Sequence, residues 1–297
     1  MSTPRESEFI PTIFPSAQED INASTLAPNT PQTRSSSYRL AYADTEFLLR
    51  EELRPVRLQL ELLKPELILQ EMGIESTVVI FGSTRIPDAD TAAQRLAEAE
   101  ANSRQAPGNP DLTRCVKIAK RIMAKARYYD EARKLAHLIT VGSDYHRLVV
   151  ITGGGSGIME AANRGAHDAG GLSIGLNIVL PLEQCPNPYI TPELSFQFHY
   201  FAIRKLHFLL RAKALVAFPG GFGTLDELFE TLTLIQTRKV TPVPVLLFGQ
   251  DFWSRIINFE ELVAEGTINQ ADLELFQYVE TAEQAWDAIK TFYGSES

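Results

Sequence analysis

The sequence predicts an α/β fold, a doubly wound, Rossmann-like sheet that is mostly parallel and is preceded by extra N-terminal helices. Three observations lead to this prediction: short apolar runs recur along the chain, stretches of helical periodicity separate them, and glycine-rich turns follow several of the runs. Alternating strands and helices build a sheet with helices on both faces, and ligands then bind outside the carboxyl ends of the strands.

The composition describes a chain large enough to bury a full core. It has 297 residues, of which 44% are hydrophobic, and its formal net charge of −9 argues against a general nucleic-acid binder. Cys115 and Cys185 provide neither a disulfide framework nor a zinc cluster, which favours a reducing, cytoplasmic compartment. No apolar run reaches about 18 residues, so we predict no membrane span, and the first ten residues do not resemble a secretory signal.

The N-terminal part is predicted to lie outside the main sheet. Residues 1–37 are rich in Ser, Thr, Pro and Asn, which predicts a disordered or loosely docked tail. Over residues 38–75, leucines recur at helical spacing with interruptions at Pro55 and Pro65. We expect two or three short helices there, as an extension of a single α/β nucleotide-binding domain that covers residues 38–297.

Five apolar runs are predicted to be strands, because continuous apolar segments are typical of parallel strands buried on both faces. An Ala- and Glu-rich insertion at 87–110 follows the first strand, and one long helix is expected at 115–139. The predicted strands are 77–81, 148–151, 172–176, 214–218 and 243–248, and the other predicted helices are 158–169, 200–213, 224–238 and 252–265.

The turn at residues 152–157 has four glycines in five positions and opens a helix. Glycines allow positive φ and let backbone N–H groups approach an anion at the helix N-terminus. A tight turn that binds nothing is the alternative. The glycine spacing matches neither the dinucleotide-binding fingerprint nor the P-loop.

A second glycine-rich turn runs from Pro219 to Glu227 as P-G-G-F-G-T-L-D-E. Its glycines can hold a phosphate, and the Thr224 hydroxyl can donate a hydrogen bond to it. Thr224 and Glu227 also fit a capping box, which would explain these two residues structurally but not the glycines. Two such turns in one sheet suggest a single anionic site at a switch point between strands.

The helix before the predicted 214–218 strand supplies a basic pair, Arg204 and Lys205. Such a pair is usually part of a solvated face, but here it stands among six apolar or aromatic residues, which favours a less exposed setting. Met159, Phe198, Tyr200 and Phe201 could stack on a base, although a core role is equally compatible with the pattern.

With both turns and the Arg-Lys pair, the sequence resembles the Lonely Guy (LOG) family of nucleoside 5′-monophosphate phosphoribohydrolases, formerly named lysine decarboxylases. The resemblance covers about residues 77–252, and its most specific element is the signature P-G-G-x-G-T-x-x-E at 219–227. The N-terminal helices and residues 175–189 resemble the longer form of the family. The tail and the 87–110 insertion lie outside it.

The resemblance implies hydrolysis of the N-glycosidic bond of an AMP-like or cytokinin riboside 5′-monophosphate, which gives a free base and ribose 5-phosphate without a metal or organic cofactor. It also implies a homodimer or higher homo-oligomer. By position, the catalytic pair is Arg204 and Glu227. The candidate substrate-binding residues are Ser83, Gly154 and Gly155 in the first two turns and, by position in the family, Glu183, Lys205, Gly220, Gly221, Phe222, Gly223, Thr224, Leu225, Asp226 and Thr233.

These residue types fit the chemistry. Breaking the bond between C1′ and the base develops positive charge on the ribose, which a carboxylate such as Glu227 can stabilise while it orients water. Arg204 can hold the substrate and neutralise either the leaving base or the phosphate. A decarboxylase that uses pyridoxal phosphate finds no support beyond isolated lysines, whereas a non-catalytic nucleotide-binding module stays open as an alternative.

Overall fold

The computed structural model describes residues 13–142, 148–181 and 185–294, and the chain divides into two compact units, residues 1–72 and 73–297. The division falls near the end of the predicted helical extension at 38–75. The assignment of residues 1–37 to a tail and of 38–297 to one domain stays a prediction. Within the described ranges, no helix is long and apolar enough to cross a membrane.

The described part of the first unit is helical. It contains α1 (Ala17–Ser24), α2 (Thr45–Leu48) and α3 (Arg54–Glu71). A capping box between Ser16 and Glu19 starts α1, inside the segment for which we predict a tail. The predicted interruption at Pro65 is wrong, because α3 continues through it for 18 residues. Pro55 lies in the first turn, where a missing N–H costs nothing, and Pro65 lacks the N–H that would donate one backbone hydrogen bond within α3.

The second unit confirms the α/β prediction: its described residues form a seven-stranded sheet in the order β4-β3-β2-β1-β5-β6-β7, and every neighbouring pair is parallel. Chain order reverses beside β1, since β2 lies on one side and β5 on the other. This is the switch point at which open α/β sheets bind ligands. The strands are β1 (Ser76–Phe81), β2 (Leu148–Thr152), β3 (Ser173–Ile178), β4 (Ser195–Phe198), β5 (Ala212–Ala217), β6 (Val245–Phe248) and β7 (Gln277–Val279).

Helices connect these strands and cover both faces. They are α4 (Ala89–Gln105), α5 (Pro110–Met123), α6 (Arg127–Val141), α7 (Ile158–Asp168), α8 (Phe201–Leu209), α9 (Phe222–Gln236), α10 (Gln250–Ile256), α11 (Phe259–Ala264) and α12 (Ala282–Gly294). Buried residues of α6, α7 and α12 form one core cluster with β1, β2 and β5. On α8, Phe208 packs edge-on against Phe81 at the end of β1, with 4.7 Å between the ring centroids.

Two predicted helices and the predicted insertion differ from the structure. The 87–110 insertion contains α4, and the single helix predicted at 115–139 is two helices, because the chain turns between Met123 and Arg127. The cause is a change of environment: α5 has no buried residue, whereas α6 contributes six to the core, so the two helices need different directions. The helix predicted at 252–265 is likewise divided into α10 and α11.

Candidate functional site

A cavity of about 700 Å³ opens at the switch point. The turn after β1 lines it with Gly82 to Ile86, and the turn after β5 lines it with Pro219 to Thr224. Gly153, after β2, and Asp226 and Glu227, in α9, complete the polar part of the wall together with Arg204. The structure therefore brings both members of the predicted catalytic pair and most of the signature turn into one cavity.

Backbone hydrogen bonds fix the turns around this cavity to one another. The Ser83 N–H donates to the Pro219 carbonyl at 3.1 Å, and the Phe218 N–H donates to the Phe81 carbonyl at 2.8 Å. The Ile158 N–H donates to the Ser83 carbonyl at 3.2 Å. All three strand ends thus hold a common geometry, which a binding site needs if it is to avoid reorganisation on binding.

The signature turn presents the N-terminus of α9 to the cavity. Gly221 is the N-cap, and no side chain accepts a hydrogen bond from the first turn, so the N–H groups of residues 222–224 are available to a ligand. The capping-box interpretation of Thr224 and Glu227 is therefore wrong, because both residues lie inside the helix. A Cβ on Gly220 would overlap with the Thr224 side chain, which explains the glycine at that position.

Glu227 is a buried carboxylate in the cavity wall, with a side chain only 9% exposed. Burial raises its pKa to about 7. Lys205 opposes this rise, Glu230 adds to it, and Arg204 opposes it. A carboxylate whose pKa lies this close to neutral pH suits a group that exchanges protons during a reaction.

Arg204 lies near Glu227, and two contacts outside the cavity orient its side chain. Its Nε donates to the Leu176 carbonyl at 2.8 Å, and its guanidinium lies over the Phe208 ring at 5.2 Å from the centroid. Burial lowers the pKa of the guanidinium, and the charge of Glu227 opposes that effect. Arginine keeps its charge at such positions, so Arg204 supplies a fixed cation to the cavity.

The glycine-rich turn after β2 contributes less than predicted. Gly153 lines the cavity, whereas Gly154 and Gly155 do not, and their role as substrate-binding residues stays a prediction. Their carbonyls are committed to Asn187, whose Nδ2 lies 3.3 Å from the Gly154 oxygen and 3.0 Å from the Gly155 oxygen. The Gly154 N–H donates to the Thr152 hydroxyl at 3.0 Å. This turn is part of a buried brace.

Asn163 completes the brace by accepting hydrogen bonds from Thr152 Oγ1 at 2.7 Å and from Asn187 Nδ2 at 2.9 Å. Sequence analysis missed Thr152, Asn163 and Asn187. The signal that could have found Asn163 is a polar residue on the apolar face of a helix, but nothing in the spacing links it to residue 187.

A second groove, across α9 from the cavity, is lined by five of the predicted substrate-binding residues, of which Lys205, Leu225 and Thr233 line this groove alone. None of these three lines the cavity, and their role as substrate-binding residues stays a prediction. Leu225 and Thr233 point away from the cavity because positions along α9 point in several directions. Phe222 and Asp226 line both openings, and Glu183 lies outside the described residues.

The cavity also has an apolar wall. Ile118 and Ile122 on α5 line it, as do Met159, Phe201 and Phe252. Of the residues considered for stacking, Met159 and Phe201 are therefore at the cavity, whereas Phe198 is in the core and Tyr200 is not among the lining residues. The sequence did not indicate α5 as part of the site, because the helical spacing predicts a helix there but not which of its residues face the cavity.

Comparison with known proteins finds a matching family model and several similar curated proteins. The family model described as "Possible lysine decarboxylase" matches residues 159–289. The probable cytokinin riboside 5′-monophosphate phosphoribohydrolase LOGL3 of Oryza sativa subsp. japonica is 28% identical over 57% of this chain and 78% of its own length. The enzyme named LOG from the same plant is 32% identical over 52% of this chain and 62% of its own length.

Two further proteins are similar to parts of this chain. Cytokinin riboside 5′-monophosphate phosphoribohydrolase LOG2 of Arabidopsis thaliana is 26% identical over 57% of this chain and 78% of its own length. A solved structure of the molybdenum cofactor carrier protein from Chlamydomonas reinhardtii overlaps 74% of this chain and 99% of its own, at 21% identity and a TM-score of 0.41. The family model, the curated relatives and the undisturbed signature at residues 219–227 thus support the resemblance of this chain to the LOG family.

Proposed function

We propose that this protein hydrolyses the N-glycosidic bond of a nucleoside 5′-monophosphate to a free base and ribose 5-phosphate. The observation that carries the proposal is the position of Glu227, a buried carboxylate with a pKa of about 7 that faces the same cavity as the N-terminus of α9 and Arg204. The names of the plant relatives support the same reaction class.

The 5′-phosphate is assigned to the N-terminus of α9. Free N–H groups of residues 222–224 and the positive end of the helix dipole attract an anion there. Glu227 lies one helical turn further on. A ribose linked to a phosphate at this end would extend toward Glu227, which suits a substrate that carries its phosphate on the 5′ carbon.

Glu227 is assigned to the ribose. As the bond between C1′ and the base nitrogen breaks, its electrons leave with the base and positive charge grows on C1′ and the ring oxygen. The Glu227 carboxylate stabilises this charge and accepts a proton from the water whose oxygen adds to C1′. The departing nitrogen takes up one proton, so that one water molecule is consumed.

Arg204 is assigned to charge neutralisation. Its contact with the Leu176 carbonyl and with the Phe208 ring fixes the guanidinium, so little reorganisation is needed when substrate binds. A guanidinium is a poor proton donor, so Arg204 stabilises negative charge on the base or on the phosphate rather than donating a proton.

The apolar wall is assigned to the base. Ile118, Ile122 and Phe252 offer a surface for a purine ring or for an alkyl group attached to it. This wall fits the base of the cytokinin ribosides named for the relatives as well as that of ordinary AMP. The proposal therefore names a nucleoside 5′-monophosphate as the substrate and does not choose between these two bases.

A non-catalytic nucleotide-binding module would use the same helix N-terminus. Such a module has no need of a buried carboxylate beside an anion, because the negative charge opposes binding and its burial costs free energy. The desolvated Glu227 therefore favours the enzyme. The cytoplasmic location and the homo-oligomer stay predictions.

The experiment is product analysis. The protein is incubated with AMP, GMP, CMP, UMP and an N6-alkylated AMP, and the base and ribose 5-phosphate are separated by chromatography. Adenosine is the matched control for AMP because it lacks only the phosphate. We expect cleavage of at least one 5′-monophosphate and poor turnover of adenosine. Full recovery of every nucleotide would support the binding module, and equal turnover of adenosine and AMP would contradict phosphate binding at α9.

A further inference from the structure

Helix α9 carries three acidic residues within one and a half turns: Asp226, Glu227 and Glu230. Like charges three or four residues apart destabilise a helix. Lys205, from α8, compensates for them, because its Nζ lies 2.7 Å from Asp226 Oδ2, 2.8 Å from Glu230 Oε2 and 3.4 Å from Glu227 Oε1. The ammonium is therefore shared unequally, and the candidate catalytic carboxylate has the longest of the three contacts.

The two close partners of Lys205 differ in their surroundings. The Asp226 side chain is 62% exposed, so water screens its charge, whereas the Glu230 side chain is 33% exposed. The Oε2 atom of Glu230 is itself buried, and Lys205 is the cation beside it. A partly buried charge acts more strongly on its neighbours than an exposed one.

Glu230 also stands apart from the reacting cavity. It lines the second groove with Lys205, whereas Glu227 lines the cavity on the other side of α9. A role for Glu230 in the reaction therefore has to pass through Lys205 or through its charge, without contact with a substrate in the cavity.

We propose that Glu230 is a positioning residue for the reaction, because its carboxylate holds the Lys205 ammonium away from Glu227 and leaves the Glu227 carboxylate available to the substrate. The catalytic consequence rests on the function proposed above. The electrostatic relationship does not, since it exists in the free protein.

Every charged group near Glu227 bears on this proposal. Arg204 and Lys205 face it from α8, and Asp226 and Glu230 share its helix. Arg85 and Lys125 line the same cavity from other elements. Without the charge of Glu230, the ammonium would keep only Asp226 as a close partner and would move toward Glu227.

The direct test is the titration of Glu227 in the substrate-free protein. Glutamate labelled with ¹³C at the carboxyl carbon is followed by NMR from pH 4 to pH 9, and the Glu227 signal is assigned by its loss in Glu227→Gln. In Glu230→Gln, we expect the midpoint for Glu227 to fall by about one unit or more. Glu230→Asp keeps the charge and should retain most of the wild-type midpoint.

Glu274→Gln is the matched control, because it removes an exposed carboxylate on the segment 270–275 and should leave the midpoint unchanged. An unchanged midpoint in a folded Glu230→Gln protein would overturn the proposal, as would a fall in thermal stability without a shift of the midpoint. Where Glu230→Gln does not fold, Glu230→Ala serves as the second neutral variant, with the same two outcomes.

A second readout links the titration to the reaction. The acid limb of the pH profile of kcat/KM should move in the same direction as the NMR midpoint, with KM changed less than about twofold. A wild-type protein that cleaves no nucleotide would contradict the proposed function, while the NMR shift would still decide the relationship between Glu230 and Glu227. The two failures are therefore distinguishable.

Discussion

Glu227 Oε1 lies 3.4 Å from Lys205 Nζ, within reach of the ammonium but beyond the distance of a strong ion pair. Burial consequently dominates over the cation and raises the pKa of Glu227 to about 7. The protein thus keeps in its interior a carboxylate whose desolvation is only partly offset by Lys205 and Arg204, which is costly for stability unless the group has a use.

This cost predicts a pH dependence of stability. The folded-state pKa of Glu227 is above its ordinary value of 4.5, so the contribution of this group is fully favourable below pH 4.5 and is lost as the pH rises through about 7. Glu227→Gln stays neutral, so its free energy of unfolding should exceed that of the wild type by about 3 kcal/mol well above pH 7. Urea denaturation at pH 5 and pH 8 measures the difference.

The same variant should differ little from the wild type near pH 4.5, which serves as the internal control. Glu274→Gln, at an exposed position, should show no such divergence. A wild-type protein that is more stable than Glu227→Gln at pH 8 would contradict the raised pKa.

The close contacts around Gly153 predict that an added side chain there displaces Arg204. A Cβ at this position would lie 2.7 Å from Arg204 Nη2 and 2.9 Å from Met159 Sδ, and both are side-chain atoms that can shift without moving the backbone. Gly153→Ala should therefore fold but displace the guanidinium, and we expect kcat/KM to fall by roughly tenfold or more with little change in melting temperature. Gly294→Ala, where the added methyl group meets nothing within 4 Å, should match the wild type. Unchanged kcat/KM in Gly153→Ala would mean that Arg204 is not held as described.

The contacts of Asn187 predict that its replacement lowers the stability of the protein. Its amide group contacts the carbonyls of Gly154 and Gly155 and the side chain of Asn163. Asn187→Ala removes this donor from the Gly155 carbonyl, whereas the Gly154 carbonyl keeps the N–H of residue 187 and Asn163 keeps the Thr152 hydroxyl. The free energy of unfolding should fall by about 1–3 kcal/mol. Asn102→Ala, on the exposed side of α4, is the control and should change it little. Equal stability of the two variants in urea would rule out the brace.

Assembly is a further prediction. Phe222 is 92% exposed beside the candidate site, and Phe229 is exposed nearby on the same helix, in the second groove. Exposed aromatic residues beside a groove are typical of an interface, so we expect a homodimer or a higher homo-oligomer. Light scattering at micromolar concentration should give at least twice the chain mass, and a monomer over that range would refute the prediction.

The sheet was predictable where strands are buried on both faces. The apolar runs of β1, β2, β5 and β6 all correspond to strands, because a short continuous apolar run in such a fold is typical of a strand that is buried on both faces. Two strands were missed. In β4 buried and exposed residues alternate over four positions, and β7 has three residues, so both are too short to stand out from the surrounding chain.

The site was predictable in its backbone and less so in its side chains. Glycine-rich turns can be recognised in the sequence because few other residues allow a neighbouring group to approach the backbone so closely. Gly220 is an example, since a Cβ there would overlap with the Thr224 side chain. The orientation of Thr233 and the partners of Asn187 depend on helix phase and on contacts between distant segments. Neither leaves a local pattern in the sequence.

The central claim is that Glu227 acts on the substrate rather than on the structure. The measurement is kcat for release of the base from the best 5′-monophosphate substrate, for wild type, Glu227→Gln and Arg204→Ala. Removal of the negative charge beside the developing oxocarbenium should lower kcat by roughly 100-fold or more in Glu227→Gln, while nucleotide binding is little changed. Arg204→Ala should impair turnover and weaken binding as well.

A folded Glu227→Gln that keeps more than about half of the wild-type kcat, in a protein with genuine nucleotide hydrolysis, would contradict the claim and direct attention to Glu160 or Glu183 as the carboxylate.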